Sequence, residues 1–280
     1  MELKNILVHV DGTERAAARL RLACAIATRT DAQVTGTFVI PDLYFGAYLA
    51  GGYVSSDLFE QQRAQAEADG KKAAAVFEEI VSKAGAHSEW RTEEGNLADI
   101  LARHARYADM VVVGKGDPDD PVRYPHPELA ADVAMSSGRP VLILPNAGTF
   151  NDVGKRVLVC WNGSREAARA AQDAMPLLSQ AVKVTVIAVN PTKREGGDHG
   201  DIPCADFALH LARHGIKAEA TSTAADGIGV ADAILARASD LGVDLIVSGA
   251  YGHSRTREWI FGGVTESLMR NTTVPVLMSH

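Results

Sequence analysis

The chain has 280 residues, 46% of them hydrophobic and 22% charged, a length beyond one typical domain and a balance that suits two globular units. A formal net charge of −7 with no block of Lys or Arg argues against nucleic acid and anionic membrane as main partners, leaving small molecules and proteins. Cys24, Cys160 and Cys204 lie far apart without a CxxC, which excludes a disulfide framework and a zinc site, and no long apolar run or secretory leader occurs, so a cytoplasmic location is expected.

In chain order, short β-branched runs alternate with alanine-rich segments of helical period. NILVHV (5–10) reads as a strand and ERAAARLRLACAIATRT (14–30) as the helix that follows it. QVTGTFV (33–39) is a second strand, with a long helix over 57–85 behind it. SEWRTEE (88–94), DMVVVG (109–114) and PVLIL (140–144) complete five strands, separated by helices over 97–106 and 128–137. Five more strands follow: RVLVCW (156–161), KVTVIAV (183–189), KAEATST (217–223), DLIVSG (244–249) and PVLMSH (275–280). Strands apolar on both faces and joined by helices belong to parallel sheets covered on two sides, the α/β class.

The second set repeats the first. KNILVHVDGTERAAAR from Lys4 is echoed by KRVLVCWNGSREAARA from Lys155, ADMVVVG ending at Gly114 by VDLIVSG ending at Gly249, and RPVLILP from Arg139 by VPVLMSH from Val274. So long a period marks domain duplication rather than a solenoid. The expected organisation is a first domain over 1–145, a polar linker over 146–154 and a second domain over 155–280.

In open α/β sheets, ligands bind beyond the carboxyl ends of the strands where the strand order reverses. The informative residues therefore follow strands one and four of each copy. After strand one stand Asp11-Gly12-Thr13 and Asn162-Gly163-Ser164. After strand four the second copy has Gly249, Gly252, then Gly262 and Gly263 opening the helix VTESLMRN. A glycine loop feeding a helix N-terminus favours anions, because backbone N–H groups can approach them and the helix dipole attracts them.

With that spacing on the page, the chain resembles a tandem universal stress protein. The resemblance covers both copies and rests on Gly249, Gly252 and Gly262, which match the G-x2-G-x9-G-[S/T] loop of the ATP-binding members. It implies two similar open parallel five-stranded sheets of order 3-2-1-4-5, related by an internal pseudo-twofold. It also implies an adenine nucleotide, ATP favoured and magnesium with it, held in the second copy by Asn162, Gly163, Val189, Gly249, Gly252, Gly262, Gly263, Val264 and Thr265. Two positions depart from the family pattern: Asn162 stands for an aspartate, and Gly263 for the Ser or Thr after the third glycine. Losing one hydroxyl bond to a charged phosphate costs about 1.5 to 3 kcal/mol.

The first copy is expected not to bind ATP in the family manner. Its counterparts of the later loop glycines are Asp117, Pro127 and Glu128, and further prolines and acids in the same loop stiffen it and repel polyphosphate. Tyr44, Phe45, Tyr48 and Tyr53, beyond the second strand, read either as a lid or partner patch, or as rings packed on the next helix. His253, Arg255 and Arg257 could reach phosphates or serve as surface charge. His104, His126, His210, His214 and His280 read as surface or capping residues, and no nucleophile in a catalytic context and no metal site is found. The expectation is a regulatory nucleotide-binding protein of the stress response, with at most slow ATP hydrolysis. The alternative is an interaction or scaffold protein that binds no nucleotide and uses the degenerate first copy and its aromatic segment for an unidentified protein partner or small ligands, with the internal pseudo-dimer leaving a homodimer open.

Overall fold

A computed structural model of the chain describes residues 2–41, 56–116, 126, 128–191, 204–250 and 263–280. Tyr44, Phe45, Tyr48, Tyr53, Asp117, Pro127, Gly252, Gly262, His253, Arg255 and Arg257 lie outside the described residues. The first half contains β1 (Asn5–His9), α1 (Glu14–Thr30), β2 (Gln33–Pro41), α2 (Ser56–Ala84), β3 (Ser88–Gly95), α3 (Leu97–Ala105), β4 (Met110–Gly114), α4 (Leu129–Ser137) and β5 (Val141–Leu144). The second contains β6 (Arg156–Cys160), α5 (Arg165–Leu178), β7 (Lys183–Val189), α6 (Ala205–Arg213), β8 (Ala218–Thr223), α7 (Val230–Asp240), β9 (Leu245–Gly249), α8 (Gly263–Asn271) and β10 (Val276–Ser279).

All ten strands join one sheet of order β3-β2-β1-β4-β5-β10-β9-β6-β7-β8. Each half thus has the order 3-2-1-4-5, and the whole reads alike from either end. Pairing within each half is parallel, while β5 and β10 meet antiparallel. Leu142 pairs with Leu277, its own counterpart in the repeat, and Val276 and Met278 pair with Ile143 and Val141 on either side. A residue facing its own counterpart is what a local twofold requires. Both fifth strands are fully buried, so each half covers the apolar edge that the other would expose.

Alternation along the strands sorts the core into two layers. Ile6, Val8, Leu142, Val157, Val159 and Leu277 face α1, α2, α5 and α6, whereas Leu7, Val111, Ile143, Leu158, Ile246 and Met278 face α3, α4, α7 and α8. Each layer runs unbroken through the seam. Further contacts cross it: Lys115 Nζ donates to the Arg270 carbonyl, and Arg169 Nη2 to the Gly138 carbonyl at 3.2 Å.

The segment expected as a polar linker is docked on the core. Val153 is wholly buried and Phe150 rests on the same core layer. Arg29 of α1 binds Asp152 at 2.6 Å and the Val153 carbonyl at 3.0 Å, while Arg15 reaches the Pro145 carbonyl at 3.0 Å. Its polar composition conceals this, because one valine and one ring suffice to anchor it. Repeated aspartates brace the start of each half: Asp109 accepts the Lys4 and Asn5 amides, and Asp244 those of Gly154, Lys155 and Arg156.

Candidate functional site

The second half brings most of the expected residues to one edge of the sheet. Asn162 and Gly163 follow β6, Val189 ends β7, Gly249 ends β9, and Gly263, Val264 and Thr265 form the first turn of α8. These are the carboxyl ends of adjacent strands together with a helix N-terminus, the placement that suits an anionic ligand. Asn162 Oδ1 accepts the Ser164 amide at 3.1 Å, and Gly163 takes a φ of 70°, which turns the chain into α5. Ser164 then caps that helix by accepting from the Ala167 amide at 3.1 Å. Asn162 is exposed, so its amide remains presented to solvent at the strand end.

Gly249 serves close approach. A Cβ there would sit 2.6 Å from the Glu166 carbonyl carbon and 2.7 Å from the Ala167 nitrogen, so the first turn of α5 can lie against β9 only because the side chain is missing. Gly263 is different, since an added Cβ meets no described atom within 4 Å. Thr265 is buried and Val264 is exposed.

The first half is built otherwise at the same edge. Arg19 of α1, 3% exposed, donates from Nε to the His9 carbonyl at 2.9 Å and from Nη2 to Asp11 Oδ2 at 2.6 Å. It passes through the gap above Gly114, where a Cβ would lie 2.7 Å from Arg19 Nη1. Asp11 Oδ1 also accepts the Thr13 amide at 2.9 Å and the Thr13 hydroxyl. Burial works against ionisation of Asp11, but the Arg19 charge, His9 and the Thr13 bonds overcome it and hold the carboxyl below its ordinary value. His9 is buried beside them, and burial, then the Arg19 charge, push its imidazole down to about 4. The aspartate that reads as intact in the sequence is therefore already paired inside the fold.

Two residues that the sequence reading passed over now matter. Arg19 reads as the polar face of a helix, and its one sequence signal is that the repeat has Ala170 in its place. Trp161, the counterpart of Val10, stacks on Phe207 of α6 with ring centroids 3.8 Å apart and an angle of 9°. It directly precedes Asn162, so α6 is tied to the strand end that carries the site. His104, expected as a surface residue, pairs through Nε2 with Glu93 Oε2 at 2.8 Å. Burial raises the thiols of Cys24 and Cys204 to about 11 and that of Cys160 to about 12, so all three stay protonated near neutrality. Among the described residues no group of three or more His, Cys, Asp or Glu side chains is disposed around a metal position, and no helix is long and apolar enough to cross a membrane.

Comparison with known proteins supplies the family. The model of the universal stress protein family matches residues 2–145 and again 154–280. The chain belongs to that family. A universal stress protein of Synechocystis, Slr1230, is 23% identical over 295 residues, which cover 98% of this chain and 99% of that protein. A universal stress protein from Archaeoglobus fulgidus superposes with a TM-score of 0.75 at 18% identity, over 99% of this chain and 96% of the other. A universal stress protein from Pseudomonas aeruginosa gives 0.58 at 14% identity, covering 99% and 93% of the two chains. These likenesses establish a shared fold over the full length of this universal stress protein.

Proposed function

We propose that this universal stress protein is a stress-response regulator that binds an adenine nucleotide, ATP foremost and with magnesium, in its second half. The division of labour follows the organisation read from the repeat: a first domain over 1–145 that does not bind, a linker over 146–154, and a binding domain over 155–280. The observation that carries the reading is the contrast between repeat counterparts: Arg19 and Asp11 fill the first edge with an internal ion pair, whereas Ala170 and Asn162 put none at the second. The base lies by Asn162 and Val189, while the phosphates meet Gly249, Gly252, Gly262 and the amides of Gly263, Val264 and Thr265 at the α8 N-terminus. Solved relatives include a universal stress protein in complex with cAMP and one from A. fulgidus in complex with dAMP; the proposal for this chain rests on its own residues.

Isothermal titration of the full chain with ATP and magnesium tests it. One site per chain is expected, and replacing Gly252 by a bulky residue abolishes it. Two equal sites, or affinity unchanged in the Gly252 variant, overturn the assignment to the second half. Heat developed without any saturable binding overturns nucleotide binding altogether.

A further inference from the structure

Outside the nucleotide edge, α6 carries a second arrangement. His210 lies on its solvent face and His214, the C-cap residue of the helix, follows one turn on; both are exposed, with ring centroids 4.9 Å apart. We propose that His210 and His214 form a two-imidazole site for a divalent transition metal ion, copper(II) before nickel(II) and zinc(II).

The geometry follows from helix periodicity. Residues four apart stand above one another, with Cβ atoms about 5 to 6 Å apart. Two imidazoles sharing an ion at a metal–nitrogen distance of about 2.0 to 2.1 Å have ring centres on the order of 5 Å apart, so the rings need only turn about their side-chain bonds to converge. Neutral imidazole suits copper, nickel and zinc, and copper binds most tightly in that series. Asp206, exposed and one turn before His210, adds negative charge on the same stripe of the helix. Water completes the coordination. The site is separate from the nucleotide edge, yet it is wired to it physically: His210 stacks on Phe207 at 5.8 Å, and Phe207 stacks on Trp161. Occupancy is therefore reported by Trp161.

The test uses the full-length chain, titrated with nickel(II) in a calorimeter and with copper(II) while tryptophan fluorescence is followed. Saturable nickel(II) binding and partial copper(II) quenching are expected. His210→Ala and His214→Ala should each weaken nickel(II) binding by about tenfold or more, because one imidazole alone remains, while the exposed His87→Ala leaves it unchanged. Trp161→Phe should abolish most of the copper(II) quenching yet keep the nickel(II) affinity, which separates the reporter from the ligands. The proposal is overturned if the wild type shows no saturable binding. It is equally overturned if either α6 variant binds as the wild type does.

Discussion

Arg19 and Asp11 meet at 2.6 Å at the end of the first half's central strands, and Gly114 is what lets the guanidinium through. The same glycine position in the second half, Gly249, is used differently: there the backbone of α5 moves into the space. One duplicated sequence thus solves the same gap in two ways, by a side chain in one copy and by a helix in the other. The copy that uses the side chain has consumed its own aspartate.

Removing the arginine should be costly. Arg19→Ala leaves the partly buried Asp11 carboxylate without its partner and should lower stability by about 1 to 3 kcal/mol. Adding Asp11→Asn, which reproduces the pair Ala170 and Asn162 of the second half, should restore part of that loss. Urea unfolding of the two variants beside the wild type measures both steps; a double variant no more stable than Arg19→Ala would show that the carboxylate is not what suffers.

The buried imidazole predicts acid sensitivity. With its folded value pushed down to about 4, His9 binds fewer protons in the native state than in the unfolded chain between that value and the ordinary histidine range. Stability is full above the unfolded value and falls as pH drops through this window, by about 3 kcal/mol in all. Asp11, held low, adds its own loss only at more acidic pH, below the ordinary carboxylate range. In His9→Gln the slope of unfolding free energy between pH 6.5 and 4 should flatten relative to the wild type.

Gly263 offers a gain of function. Nothing described lies within 4 Å of its missing Cβ, so Gly263→Ser should be accepted without displacement. A hydroxyl at the α8 N-terminus adds one bond to a charged phosphate, worth about 1.5 to 3 kcal/mol, or about tenfold to a hundredfold in affinity. Titration with ATP reads the change, and stability should stay close to that of the wild type.

The two gap glycines should behave unequally. Gly249→Ala drives a Cβ into backbone atoms of Glu166 and Ala167, so α5 must shift and stability should fall by about 1 to 3 kcal/mol. At Gly114→Ala the atoms nearest the new Cβ all belong to the Arg19 side chain, Nη1 first at 2.7 Å. This substitution should therefore become nearly neutral in an Arg19→Ala background, while Gly249→Ala gains nothing from any such second change. Thermal midpoints of the single and double variants decide it.

The architecture was legible because it depends on periodicity and repetition. The βα alternation and the two copies follow from patterns spread over many residues, the order 3-2-1-4-5 and the pseudo-twofold came with the family resemblance, and the structure realises them through the antiparallel meeting of Val141–Leu144 with Val276–Ser279. What stayed hidden depends on single residues whose surroundings come from distant parts of the chain. Arg19 looks like a surface arginine until Gly114 opens a path above it, and Val153 looks like part of a loose linker until Arg29 clamps its carbonyl. His210 and His214 are spaced for a shared helix face, but only the rings of Phe207 and Trp161 connect that face to the sheet edge.

The last prediction concerns why both copies occupy one chain. Leu142 pairs with Leu277, and the whole of both fifth strands is buried at the seam. Cut apart, each half would expose an apolar edge strand with unpaired N–H and C=O groups, a template for joining another strand. A fragment of residues 155–280 should therefore self-associate through β10, with Leu277 now near the twofold of a homodimer, whereas in the full chain this edge is already satisfied. Leu277→Lys should block that association in the fragment, because two buried ammonium groups would face each other without a counter-charge. In the full chain the same change should lower stability by about 2 kcal/mol or more, since Leu142 loses its partner and the lysine must be desolvated. Sedimentation of the fragment with and without Leu277→Lys provides the measurement. A wild-type fragment that stays monomeric and is as stable as the intact protein would mean that the seam is not what the duplication supplies.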